Sequence, residues 1–236
     1  MNPIDATPTP MGTGVQAVYL DAGLLVLEKP AGLLCVPGRG PDKQDCLSAR
    51  AQQRWPDALV VHRLDMATSG LVLMARTPAL QRALSAAFAL RQVHKRYLAV
   101  VQGCMARGAE TEAGTASSAA QSPWQTIDLP IAADWERRPL RVIDTARGKP
   151  SLTRWQALAV DPAAQTTRVA LEPLTGRTHQ LRVHLAAIGH AILGDALYAD
   201  APAQARAPRL LLHACELGFT HPETGAALHF ASPAPF

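Results

Sequence analysis

A chain of 236 residues, 48% of them apolar, can bury a substantial core, and no apolar run approaches the ~20 residues that a bilayer-spanning helix needs. The formal charge of +4 is mild, yet only four of the 23 basic residues are lysine, and arginine is the side chain suited to bidentate phosphate contacts and to stacking on bases. An alanine-rich composition explains the same excess, so charge alone does not assign a nucleic-acid partner. Cys35, Cys46, Cys104 and Cys215 show neither CxxC nor zinc-finger spacing, which argues against a disulfide framework or a structural metal and for small hydrophobes, mostly buried.

The opening residues 1–14, "MNPIDATPTPMGTG", lack the basic and apolar regions of a secretory signal. A flexible leader and a cytoplasmic location are expected. From Ala17 to Leu34 two β-prone runs flank a turn at Asp21 to Gly23, which predicts a hairpin. Asp45 is placed to cap a helix from Cys46 to about Trp55. Val60 and Val61 begin a strand that Asp65 to Gly70 interrupt and Leu71 to Ala75 resume. Thr77-Pro78 is a capping hydroxyl followed by proline at the first helical position, and the helix it opens feeds a strand, "VHKRYLAVVQG".

Residues 104–126 are 14 parts in 23 Ala, Gly, Ser or Thr. Such a segment buries too little apolar area to offset its ordering entropy and is expected to be a mobile insertion. Beyond it, "SLTRWQALAVD" and "TTRVALEPL" predict strands joined at Asp161-Pro162. "LTGRTHQLRVHLAAIGH" predicts a loop opening into a helix with Leu181, Leu185 and Ile188 on its core face and Gly189 as its stop. A final hairpin turns at "HPETG". Strands with interspersed helices, without regular βαβ alternation, predict an α+β fold with a largely antiparallel sheet, in two lobes.

Three stretches can carry chemistry. Asp65 lies in a connection between buried segments, where anchored backbone fixes a side chain's direction, although aspartate there is also a common turn-maker. Arg177 follows Gly176 at the mouth of a helix, where a guanidinium can meet a carboxylate or phosphate; an exposed turn arginine is the alternative. Tyr97 alternates with apolar neighbours, as a core ring or as a ring that stacks on a base. His179, His184 and His190 lack the spacing and the acidic partner of a metal site, and no metal is expected; His184 is read as a hydrogen-bonded residue near the core.

Together "HRLDMATSG", "KRYLAVV" and "LTGRTHQLRVHLAAIGHAILGDALY", with "LLVLEKPAGLLCVPG" before and "RLLLHA" after, resemble the RluA family of pseudouridine synthases over most of Val18 to Pro233. "LPIAADWERRP" and "APRLLLHA" are similar to the family's namesake subgroup, which acts on 23S rRNA and a tRNA anticodon loop. The resemblance implies a single catalytic domain, 15–236, with a central RNA-binding cleft and without an S4-type module. It implies an RNA substrate, no membrane or obligate protein partner, a monomer, and no cofactor, since isomerisation imports no group.

It also implies that Asp65 is the essential carboxylate, acting at C1′, on the uracil ring or on the C2′ proton. Arg177 would pair with it. Tyr97 would stack on the uracil and help remove the C5 proton. Arg63 would fill the space of a flipped base or grip phosphate, with His62, Lys95 and Arg96 as further RNA contacts. A glycosidase is disfavoured because the usual pair of facing carboxylates is missing. An inactive RNA-binding protein is disfavoured by the intact Asp65, Tyr97 and Arg177 set.

Overall fold

A computed structural model describes residues 15–105 and 123–236. The expected leader and most of the 104–126 insertion lie outside the described residues.

The first segment contains strands β1 (Gln16–Leu20) and β2 (Leu24–Lys29), helix α1 (Leu47–Arg54), β3 (Leu59–Val60), β4 (Ser69–Ala75), helix α2 (Pro78–Ala89) and β5 (His94–Gln102). The second contains β6 (Gln125–Asp128), β7 (Ile131–Ala133), β8 (Arg141–Ile143), β9 (Leu152–Asp161), β10 (Thr166–Pro173), α3 (Gln180–Ala187), the short α4 (Ala201–Ala205), β11 (Leu212–Thr220) and β12 (Ala227–Ala231). Eight strands run in the order β1-β2-β4-β11-β5-β10-β9-β6, with β3 on β4 and β12 on β11, while β7 and β8 form a separate hairpin. Among the described strands only β4 and β11 pair in parallel; the other paired strands are antiparallel. The α+β expectation therefore holds, with the last long strand inserted between the two halves of the sheet.

Local chemistry explains the elements. The Asp21 carboxylate accepts the N–H groups of Gly23 and Leu24 and closes the first hairpin. Thr77 Oγ1 accepts the Leu80 N–H at the start of α2, with Pro78 inside its first turn. Two expectations are corrected. The cap of α1 is Cys46, whose Sγ accepts from Ala49 N, because Asp45 is drawn instead into an ion pair with Arg50 at 2.6 Å. The segments around Asp65 are not one interrupted strand: β3 lies antiparallel to β4, Leu59 opposite Ala75, and Asp65 sits on the connection between them.

β2 and β4 are buried on both faces, so their alternate residues feed two cores. Leu25, Leu27, Val72 and Met74 pack with α1; Leu24, Val26, Leu71 and Leu73 pack with Leu80 and Leu84 of α2. A third core sets Leu181 and Leu185 of α3 against Val169 and Leu171 of β10. Tyr97 packs against both the α1 core and the α3 core, so it marks their seam. Beside it, Gly70 lets β4 and β11 approach: its φ is 115°, and a Cβ there would fall 2.3 Å from the Ala214 carbonyl oxygen.

Candidate active site

A cavity of about 470 Å³ opens at this seam, lined by Arg63, Asp65, Lys95, Tyr97, Arg177, His179 and Arg182 among others. Its volume suits a small planar guest. Asp65 reaches it from the β3–β4 connection. There the Thr68 N–H donates to the Asp65 carbonyl at 3.1 Å, forming a tight turn. Lys29, fully buried, fixes that turn from below: its ammonium donates to the carbonyls of Pro30, Leu33 and Met66 at 2.8, 2.8 and 3.0 Å. Burial pushes Lys29 down to about 8, which leaves it charged at neutral pH with three donors for three acceptors.

The opposite wall comes from the loop that precedes α3 and from the first residues of that helix. Residues 180–185 are all buried, so this helix is not a simple amphipathic stripe and its polar side chains must be paired inside the protein. Gln180 takes Thr175, the Leu152 carbonyl and Thr153, and His184 takes Thr153 and the Leu129 carbonyl. Arg182 grips Asp195 with two hydrogen bonds, at 2.6 and 2.8 Å, and its Nη1 stands 3.8 Å from Asp65 Oδ2. His179 Nε2 lies 4.0 Å from the same oxygen. His190 bonds the Gln102 carbonyl, so the three histidines serve three separate places.

The guanidinium beside Asp65 is thus that of Arg182, not Arg177. Arg177 is exposed on the cavity rim, its backbone N–H given to Gln180 and its Nε directed at the Pro150 carbonyl at 3.4 Å. The physical reason is helical geometry. Arg177 precedes the helix in a loop, whereas Arg182 lies in its first turn, near the β3–β4 connection, with its charge already anchored by Asp195. Burial of residues 180–185 on all sides is invisible in a sequence that offers an apolar stripe at helical spacing.

Strand alternation sorts the other candidates. Lys95 and Tyr97 project from β5 into the cavity, and Arg96 between them projects to the other face, where it pairs with Glu172 at 2.9 Å and Glu216 at 3.2 Å and stacks over Trp124. Arg96 therefore does not line the site. His62 does, but its Nε2 accepts the Leu73 N–H and its ring stacks on Phe88 at 4.3 Å. Burial, with the nearby Lys95 charge, pushes His62 down to about 3 and keeps it neutral. Burial, with the charge of Asp65, raises the Tyr97 phenol well above its ordinary range, so it too is protonated. Arg63 is exposed at the opening.

A carboxylate, a buried arginine and a ring thus face one cavity, with an exposed arginine at its mouth. Residues 23–187 match the family described as RNA pseudouridylate synthase, a span that holds Asp65, Tyr97, His179 and Arg182. The chain belongs to the RluA family of RNA pseudouridine synthases. These enzymes are isomerases that convert uridine in RNA to pseudouridine. The chain is similar to the dual-specificity RNA pseudouridine synthase RluA of Yersinia pestis, with 44% identity over 219 residues, 93% of this chain and 98% of that one. The enzyme of the same name from Escherichia coli strain K12 is 43% identical over 220 residues, 93% of each chain. Among solved structures, human RNA pseudouridylate synthase domain containing 1 matches with a TM-score of 0.72 at 29% identity, covering 97% of this chain and 87% of that chain.

Proposed function

We propose that this enzyme isomerises specific uridines in structured RNA loops, with 23S rRNA and a tRNA anticodon loop as its targets, and that Asp65 is the carboxylate that drives the reaction. The likeness to two dual-specificity relatives along nearly their whole length supports the pair of targets. The observation that carries the chemistry is the seat of Asp65: a carboxylate 3.8 Å from an arginine that cannot leave, because Asp195 holds it by two bonds. A cation fixed at that distance orients the carboxylate for a nucleophilic or basic step.

In this reading the target uridine leaves its stack, since its reacting carbons are out of reach in a helix. Arg63, exposed at the mouth, fills the vacated space or grips phosphate, and Arg177 and Lys95 hold backbone at the rim. The uracil stacks on Tyr97. The N1–C1′ bond breaks with help from Asp65, the base turns, C5 joins C1′, and the C5 proton is then lost to solvent or a nearby base while N1 takes one up, so the product is an isomer. The protonated state of Tyr97 favours stacking over removal of the C5 proton. The protein acts as a monomeric cytoplasmic enzyme, one catalytic domain from residue 15 onward.

Mapping pseudouridines in rRNA and tRNA from cells with and without the gene tests the targets. Loss of one site in each RNA class supports dual specificity. Loss in one class only, or elsewhere, reassigns the substrate within the family, and release of free uracil would indicate a glycosylase instead.

A further inference from the structure

Asp65 has a second neighbour that the reaction scheme above leaves without a task. His179 stands with its Nε2 4.0 Å from Asp65 Oδ2 and its Nδ1 2.6 Å from the hydroxyl of Tyr198. The same hydroxyl oxygen accepts the backbone N–H of Arg141 at 3.0 Å, from the β7–β8 hairpin. Among the described residues these are its two hydrogen bonds. With that oxygen accepting from Arg141, the phenolic proton is directed to His179 Nδ1. A neutral imidazole that accepts at Nδ1 carries its own proton on Nε2, the nitrogen facing Asp65.

The backbone shows that this placement is built. His179 adopts a left-handed conformation, φ 57° and ψ 17°, directly before α3, one that few residues other than Gly or Asn take up without cost. The imidazole therefore enters the cavity three residues ahead of Arg182, and the two flank one carboxylate oxygen. Asp195 and Tyr198, also three apart and on one turn, each hold one of them: Asp195 grips Arg182 and Tyr198 grips His179. The turn itself is tied by the Leu197 and Tyr198 N–H groups to Asp195 Oδ1.

We propose that His179, its tautomer set by Tyr198, is a positioning residue that presents an uncharged N–H to Asp65 and fixes the direction of that carboxylate without adding a second cation. The inference rests on the reading of Asp65 as the essential carboxylate. Burial holds His179 below its ordinary range, and the charges of Arg182 and Arg141 act the same way against the pull of Asp65. The 4.0 Å separation is of the kind that tightens when substrate fills the site. Two hydrogen bonds, through Tyr198 and the Arg141 N–H, also tie the His179 ring to the β7–β8 hairpin.

The test uses the full chain with an RNA stem-loop substrate, measuring single-turnover rate and RNA affinity separately. His179→Asn keeps a residue that tolerates the left-handed backbone and a polar group at the place of Nδ1, but nothing that reaches Asp65. Its rate should fall on the order of 10²-fold with RNA affinity unchanged. His179→Gln, which carries an amide N–H near the place of Nε2, should recover much of the loss. Tyr198→Phe removes the donor that favours the neutral ring, so the acid limb of its rate against pH should move to higher pH. A wild-type rate in His179→Asn, equal losses in the Asn and Gln variants, or an unmoved acid limb in Tyr198→Phe overturns the proposal. Should Asp65→Asn keep normal turnover, the reading of Asp65 fails instead, whatever His179 does.

Discussion

Arg182 stands 3.8 Å from Asp65 with Nη1 while Nε and Nη2 are both committed to Asp195. A cation held this way cannot swing into the cavity, and it needs no RNA to be in place. Only a planar, forked group can satisfy one carboxylate with two nitrogens and face another with the third. Arg182→Lys is therefore expected to lower the rate by about 10²-fold or more while RNA still binds. Arg177→Lys, at the exposed rim, keeps the charge and is expected to change the rate only a few-fold, to weaken RNA binding modestly and to leave its salt dependence unchanged. Single-turnover kinetics of both variants decide the matter. The reverse ranking would return the essential role to Arg177.

Lys29 makes the turn that carries Asp65 depend on one buried ammonium. Lys29→Met leaves the carbonyls of Pro30, Leu33 and Met66 without their shared donor. We expect a loss of about 3 kcal/mol in unfolding free energy, and a slower reaction even where the variant is fully folded, because Met66 adjoins Asp65. Urea titration combined with kinetics at low temperature checks both. A variant as stable and as active as the parent would show that the turn stands without Lys29.

The buried histidines set the acid stability. Burial pushes His62 down to about 3 and His213 to about 4, and lowers His184 as well. Unfolded histidine titrates near 6.5, so below that pH the unfolded chain binds protons that the folded chain refuses. The stability these neutral rings contribute is complete above about pH 6.5 and is lost as pH falls from there toward about 4. Each contributes a slope of up to about 1.4 kcal/mol per pH unit inside that window. The urea midpoint should be clearly lower at about pH 5 than at about pH 7.5, and His213→Gln should flatten the difference. Equal midpoints in the parent protein would contradict the neutral assignment.

Much of the fold was legible because its signals are local. The hairpin closed by Asp21, the cap at Thr77 with Pro78 after it, the strand that carries Tyr97 and the last hairpin each follow from residues adjacent in sequence. Asp65 and Tyr97 do face a common cavity, as the motifs led us to expect. What stayed hidden depends on contacts between distant residues. Arg177 and Arg182 look alike in sequence, and only the packing of α3 shows which one is buried beside the carboxylate. Arg96 seemed as well placed as Lys95 until strand alternation and the carboxylates of Glu172 and Glu216 turned it to the other face. Lys29, Asp195 and Tyr198 gave no signal of their own, since each acts on partners that the fold brings in from elsewhere; the only available hint was that "GDALY" follows α3 so closely.

On the proposed reading Asp65 performs the isomerisation while the rest of the cavity holds the RNA. Asp65→Asn has nearly the same shape and cannot act as a carboxylate. Its conversion of uridine to pseudouridine in a bound stem-loop should fall by several orders of magnitude, with RNA affinity close to that of the parent enzyme. Turnover within a few-fold of the parent, measured on the same RNA at saturation, would mean that a group other than Asp65 carries the reaction.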